Sequence, residues 1–211
     1  MCVLDAAMQV LKGAGEPLRR HAPTPTYSNI PDLVYSNTLD GDTLSENNVT
    51  KIPVFGSLFD LSFSDLVDTS GLEENENVAG NALHVLVRPG QGSLFIVDMQ
   101  NPIEVEEDSL VLARAEIWCS NDSARISFGL ADTDQNGNME LGGGSLGLEQ
   151  FSLCKSFDNK WGTAIVLHRS QSGYVIPLIQ VICGDVETDT YIDGVKVYQV
   201  KEGDKIPAEL L

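Results

Sequence analysis

Thr190-Tyr191-Ile192-Asp193-Gly194-Val195-Lys196-Val197-Tyr198 is the stretch that decides the fold class of this chain. Apolar and polar side chains alternate with period two, and β-branched and aromatic residues dominate, which is the pattern of a half-buried strand. Working back from it, similar segments recur at short intervals: Tyr174 to Cys183, Thr163 to His168, Gln150 to Phe157, Ala124 to Leu130 and Leu110 to Cys119. Further upstream come Ser93 to Met99, Ala82 to Arg88, Leu58 to Ser64 and Val49 to Phe55. Such spacing predicts an all-β antiparallel sandwich or barrel. Two inward faces can be named. Val111, Ala113, Ala115, Ile117 and Cys119 alternate with Arg114 and Glu116, and Ile126, Phe128 and Leu130 alternate with Arg125 and Ser127. Pro53 and Pro177 predict edges or bulges, because proline cannot donate to a ladder. Neither an alternating β-α rhythm nor a repeat of about 20 to 50 residues is present.

The first 48 residues read differently. Val3, Leu4, Ala7, Met8, Val10 and Leu11 recur at helical spacing, and Gly13, Gly15 and Pro17 end the pattern. A helix that short is marginal alone and needs a surface to dock on. Its apolar stripe, Val3, Leu4, Met8 and Leu11, is therefore the expected anchor to a partner. From Arg19 to Asn48 the composition turns to Pro, Thr, Ser, Asn and Asp, which favours an extended arm. The expected organisation is residues 1–48 as helix and arm, an assembly anchor, and residues 49–211 as the sandwich.

Composition narrows the function classes. The 211 residues are 42% hydrophobic and 21% charged, enough to fill one sizeable core. Net charge is −18. Residues 1–22 hold Lys12, Arg19 and Arg20 against Asp5 and Glu16, so the excess of acid lies downstream. Such a field repels phosphate backbones and anionic lipid, which argues against nucleic acid and membrane as partners. No stretch of about 18 apolar residues is present to span a bilayer. Val3 to Leu11 is interrupted by Asp5 and Gln9 and lacks the layout of a secretory leader, so the expected product is made in a cytoplasm. Cys2, Cys119, Cys154 and Cys183 are far apart and three fall within apolar strand patterns, so buried free thiols are expected.

One ordered set of features carries a resemblance. Gly80-Asn81-Ala82-Leu83-His84-Val85 forms an early strand, and a Gln-Asn-Pro turn at 100–102 precedes an acidic loop. Trp118 lies near the end of a long strand, Trp161 opens a late one, and Tyr191-Ile192-Asp193-Gly194-Val195 closes the set. In this order they resemble the jelly-roll carbohydrate-binding modules over roughly residues 50 to 200. The resemblance implies a jelly-roll β-sandwich and a structural calcium to which Asp193 contributes. Jelly rolls of this kind also serve in virions as capsid decoration, fibre and tail proteins.

Candidate chemistry is sparse. Asp132, Asp134, Asn136 and Glu140 offer oxygens at alternate positions around Gly137, the opening of a calcium loop. A solvated Asp/Asn/Gly hairpin is the simpler reading of the same residues. Gly142-Gly143-Gly144-Ser145-Leu146-Gly147 matches a dinucleotide loop and a nucleophile elbow literally, but strand patterns flank it where both need a helix. Glu104, Glu106, Glu107 and Asp108 crowd one turn and do not form the opposed acids of a glycosidase. Sugar binding requires aromatic faces, for which Trp118, Tyr174 and Tyr191 are the candidates, with Trp161 assigned to the core. Aromatics are only 7% of the chain. The leading expectation is a non-enzymatic virion subunit, a phage capsid decoration or fibre-type protein found in the virion. It would contact other capsid or tail subunits through the N-terminal arm, as a homo-oligomer. The second is a carbohydrate-binding module that recognises a surface glycan for adhesion.

Overall fold

A computed structural model describes residues 30–53, 63–78, 80–139, 149–151 and 159–210. In chain order the strands are β1 (Asp32–Asn37), β2 (Val49–Pro53), β3 (Phe63–Asp68), β4 (Asn81–Val87), β5 (Gly92–Val97) and β6 (Ile103–Glu104). They continue with β7 (Leu110–Cys119), β8 (Ala124–Asp132), β9 (Glu149–Phe151), β10 (Trp161–Arg169), β11 (Tyr174–Cys183) and β12 (Thr188–Val200). A single 3-10 turn, Ala208–Leu210, lies near the C-terminus. No helix among the described residues is long and apolar enough to cross a membrane.

Two antiparallel sheets face each other. The first runs β10-β7-β12-β4-β3, with β1 joined to the second half of β12; the second runs β2-β5-β11-β8-β9, with β6 on β11. Period-two alternation places one set of side chains between them. Leu83, Val85, Ile117, Ile192 and Val197 of the first sheet meet Phe95, Ile126, Phe128, Ile179 and Val181 of the second in one buried cluster. The expected all-β sandwich is the fold found.

β12 pairs with β7 along almost its whole length, but the register shifts between Asp193 and Lys196. Gly194 turns this bulge with φ +60, and a Cβ there would lie 3.0 Å from the Asn77 carbonyl oxygen. Glycine is required on both counts.

Four expectations need correction or placement. Residues 32–48 are part of the sandwich: β1 pairs with Asn37↔Val195 through Asp32↔Gln199, and Leu39 is fully buried in the core. The boundary drawn at Val49 therefore cuts through the fold, because a polar, proline-rich composition hid a six-residue edge strand. Pro53 lies in β2, which pairs with β5 at the end of its sheet, as expected for an edge. Pro177 instead sits in β11, between β8 on one flank and β5 and β6 on the other. It falls in the gap between the β6 pairing at Tyr174–Val175 and the β5 pairing that begins at Leu178, where no ladder bond on that flank calls for its missing N–H. Cys119 is buried and disulfide-bonded, not a free thiol. An apolar strand pattern reports burial and is silent on oxidation. Residues 1–29, with the anchor Val3, Leu4, Met8 and Leu11, lie outside the described residues, as do Glu140 and the glycine run 142–147.

Candidate functional site

The pairing registers align four rings on the outer face of the first sheet. Trp161 on β10 is opposite Trp118 on β7, Trp118 is opposite Tyr191 on β12, and Tyr191 is opposite His84 on β4. Asp65 on β3 completes the row opposite His84. Residues directly opposite share a face, and neighbouring strands lie about 4.8 Å apart, so the four rings span roughly 14 Å across the strands. The face is outward because Ile117, Cys119 and Ile192, which alternate with these rings, are in the inter-sheet core.

Three of the four rings touch in sequence. His84 stacks on Tyr191 with centroids 4.6 Å apart and 24° between planes, and Trp118 meets Tyr191 edge-on at 5.5 Å and 77°. All four are half-buried. Both indole Nε1 atoms, on Trp118 and Trp161, are shielded and without a hydrogen-bond partner. At the other end, His84 Nε2 lies 2.8 Å from Asp189 Oδ1, and the Asp189 side chain keeps 45% of its exposure. Burial, then the Asp189 carboxylate, pushes the Tyr191 phenol above its ordinary value, so the ring stays neutral.

A polar network walls the row on one side. One step along the strands, Thr163, Glu116 and Asp193 are opposite one another. Arg114 Nη2 donates to Glu116 Oε1 at 2.6 Å, with side-chain exposures of 8% and 3%. Glu116 also accepts from Asn75 Nδ2 at 3.2 Å and from Thr163 Oγ1 at 3.1 Å. Arg114 Nη1 donates to the Glu209 carbonyl at 2.7 Å, which ties the C-terminal turn onto this face.

The other sequence candidates fall elsewhere. Tyr174 starts β11 opposite Glu104, in the second sheet, and does not join Trp118 and Tyr191. Trp161, expected in the core, is in the row. The calcium set is not assembled as a unit. Asp132 accepts from Ser170 Oγ, the Gln171 amide and Ser172 Oγ and pairs with His168 Nε2 at 2.9 Å. Asp134 accepts from the Asn136 and Asn138 amides and from Asn138 Nδ2, which closes its own hairpin and holds its carboxyl below the usual range. Asn136 gives only its amide to this turn. Asp193 is remote from both: its β7 partner is Glu116, whereas His168, which binds Asp132, is opposite Val111. Five residues along β7 separate those positions by roughly 17 Å. Among the described residues no three His, Cys, Asp or Glu side chains are grouped to hold a metal. Asp193 instead accepts from the Gly194 amide at 2.6 Å and shapes the bulge.

A concavity of about 480 Å³ beside Glu106–Leu110, which Arg169 and Lys201 also line, and one of about 650 Å³ beside Asp68–Gly80, rich in acids and hydroxyls, contain no aromatic ring. Sequence reasoning missed His84, Asp189 and the Arg114–Glu116 pair as neighbours of Tyr191. The outward phase of each strand was readable, but which outward residues stand in line depends on registers that sequence leaves open.

No protein-family model and no curated protein matches the chain. Solved structures do. The arabinose-bound GH51 α-L-arabinofuranosidase is similar with a TM-score of 0.54 and 12% identity over 85% of this chain and 28% of that one. The enzymatically active domain of bacteriophage CBA120 tailspike protein 4 gives 0.52 and 12% over 78% and 21%. The CBM22-1 and GH10 modules of Clostridium thermocellum xylanase 10B, complexed with xylohexaose, give 0.50 and 10% over 81% and 29%. The chain thus spans under a third of each of these three. At such identities the likeness is one of fold, and that fold is the carbohydrate-binding-module-like jelly-roll β-sandwich.

Proposed function

We propose that this chain binds a glycan on the outer face of its first sheet, with sugar rings lying on Trp161, Trp118, Tyr191 and His84, and that it does so without catalysis. The observation that carries this reading is the row itself, four rings from four strands in one line. Aromatic faces cover the apolar faces of sugar rings, while polar atoms at their edges fix orientation. The His84 ring and the Asp189 carboxylate, 45% exposed, supply those edges. Two of the solved neighbours that share this fold were obtained with arabinose and with xylohexaose bound somewhere in their longer chains. A single sugar would occupy only part of a roughly 14 Å line, so an oligosaccharide fits better.

Titration of the full chain with a panel of neutral oligosaccharides, read by tryptophan fluorescence, tests the proposal. Saturable change is expected for at least one chain, with Tyr191→Ala weakening it about tenfold, the value of one well-placed ring contact. A flat response across the panel would sink the reading.

A virion setting is the second reading, and it is compatible with the first. Ile30, Leu33 and Val34 are exposed on or beside edge strand β1, at 64%, 54% and 38%. An apolar edge suits a subunit fixed among others. The Cys119 disulfide suits a particle surface or another oxidising environment better than a cytoplasm. Co-purification with phage particles, followed by its loss in Leu33→Asp, is the expected result; an unaltered yield of bound protein would exclude β1 as the contact.

A further inference from the structure

We propose that the ring face selects neutral glycans over chains bearing carboxylate or sulfate, and that Asp189 and Asp65 set this choice. The inference rests on the glycan reading above and adds its chemical class. It starts from the charges that flank the row. At the His84 end, Asp189 lies 2.8 Å from the ring nitrogen, and Asp65 stands opposite His84 on β3, exposed. Arg88, just past the end of β4, is 57% exposed and its charge is balanced by Glu187 at 3.3 Å. Along the adjacent wall, Arg114 is buried against Glu116 and turned to Glu209, so its charge does not reach the ring face. At the far end Lys160, next to Trp161, is exposed. The end that holds His84 is therefore negative.

Two consequences follow for a ligand. Asp189 Oδ1 faces His84, while no contact among the described residues occupies Oδ2, and the side chain is 45% exposed. A carboxylate oxygen so placed accepts from sugar hydroxyls in charge-assisted bonds, which a neutral polyol supplies. An anionic substituent at the same place meets two carboxylates, while the Arg88 charge at that end is already balanced by Glu187. At about 6 Å and an effective dielectric between water and protein surface, such repulsion amounts to about tenfold in affinity.

The discriminating experiment uses the full chain and matched ligands. Each neutral chain in the panel is compared with its lightly carbamoylmethylated and carboxymethylated forms, which are alike in size and differ in charge. The carboxymethylated form is expected to bind about tenfold more weakly than the carbamoylmethylated one. Raising ionic strength from about 0.01 M to about 1 M should narrow that gap, because the charges are exposed. In Asp65→Asn/Asp189→Asn, which keeps side-chain shape, the gap should fall below about threefold. Equal affinity for the two derivatives, or a gap unchanged by both salt and the double variant, would overturn the assignment. If no neutral chain binds at all, the ring face is not a glycan site and the proposal falls with it, an outcome distinct from binding without charge discrimination.

Discussion

Breaking the Arg114–Glu116 pair is the sharpest test of how the ring face is held. Glu116→Leu leaves a guanidinium that is 8% exposed with only the Glu209 carbonyl and the Thr163 hydroxyl for company. Arg114→Met leaves a carboxylate that is 3% exposed beside Asn75 and Thr163. Removing one member of a buried pair exposes the desolvation cost of the other, and each single variant should lose about 3–5 kcal/mol. For a chain of this size that corresponds to a fall in Tm of roughly 6–20 °C. The Arg114→Met/Glu116→Leu double variant removes both charges and fills the space with apolar atoms. It should be more stable than either single variant, giving a coupling of about 3 kcal/mol or more. Urea denaturation of all four proteins measures the cycle. Single losses below about 1 kcal/mol, or losses that simply add, would refute the claim that the pair is desolvated and mutually dependent.

Tyr35 donates to Asp98, and burial, then that carboxylate, pushes its phenol above the ordinary value near 10. The folded state then binds a proton that the unfolded state has lost, so this stability is intact below about pH 10 and drains above it, at about 1.4 kcal/mol per pH unit. Tyr35→Phe should flatten part of that alkaline loss in denaturation curves; an unchanged slope would contradict the assignment. A chain beginning at Val49 discards β1 and the buried Leu39 and should fail to fold, whereas one beginning at Ile30 should give the dispersed amide spectrum of a sandwich. Reduction of the Cys119 disulfide should cost about 2–5 kcal/mol, read as a Tm shift with and without dithiothreitol.

Legibility followed physical range. Leu110–Cys119 and Tyr174–Cys183 were readable because each is a ten-residue run dominated by apolar side chains and bounded by turn residues. β1 was unreadable: Asp32-Leu33-Val34-Tyr35-Ser36-Asn37 has no clean alternation, and its burial runs from exposed to half-buried. It is a strand because β12 offers a free edge once β4 stops at its register with Ile192. The site shows the same division. Trp118 and Tyr191 were nameable one by one, as rings on outward phases of good strands. Their alignment with Trp161 and His84 comes from four separate pairings, each set by core packing and turns far from the rings. Tyr174 failed as a candidate for the same reason, since its strand belongs to the other sheet. The calcium reading took Asp134 and Asn136 as oxygens turned outward, whereas Asp134 is spent on the turn it makes possible.

Why the ring row falls where it does follows from how the two outer faces are finished. On the second sheet, Ile96, Ala131, Ile176 and Leu178 form an apolar cluster that is already buried, with Met99 and Met139 packed against it. On the first sheet, the turn at Asn75 and the C-terminal turn at Glu209 are fastened onto Glu116 and Arg114, which closes the middle of the face. The end bearing Trp118, Tyr191 and His84 keeps half-exposed rings. On the proposed reading, a ligand runs across the strands from Trp161 toward Asp65, alongside the wall at Glu116 and Asn75, so that the rings supply affinity and the acids at the far end selectivity, two properties that substitution can separate.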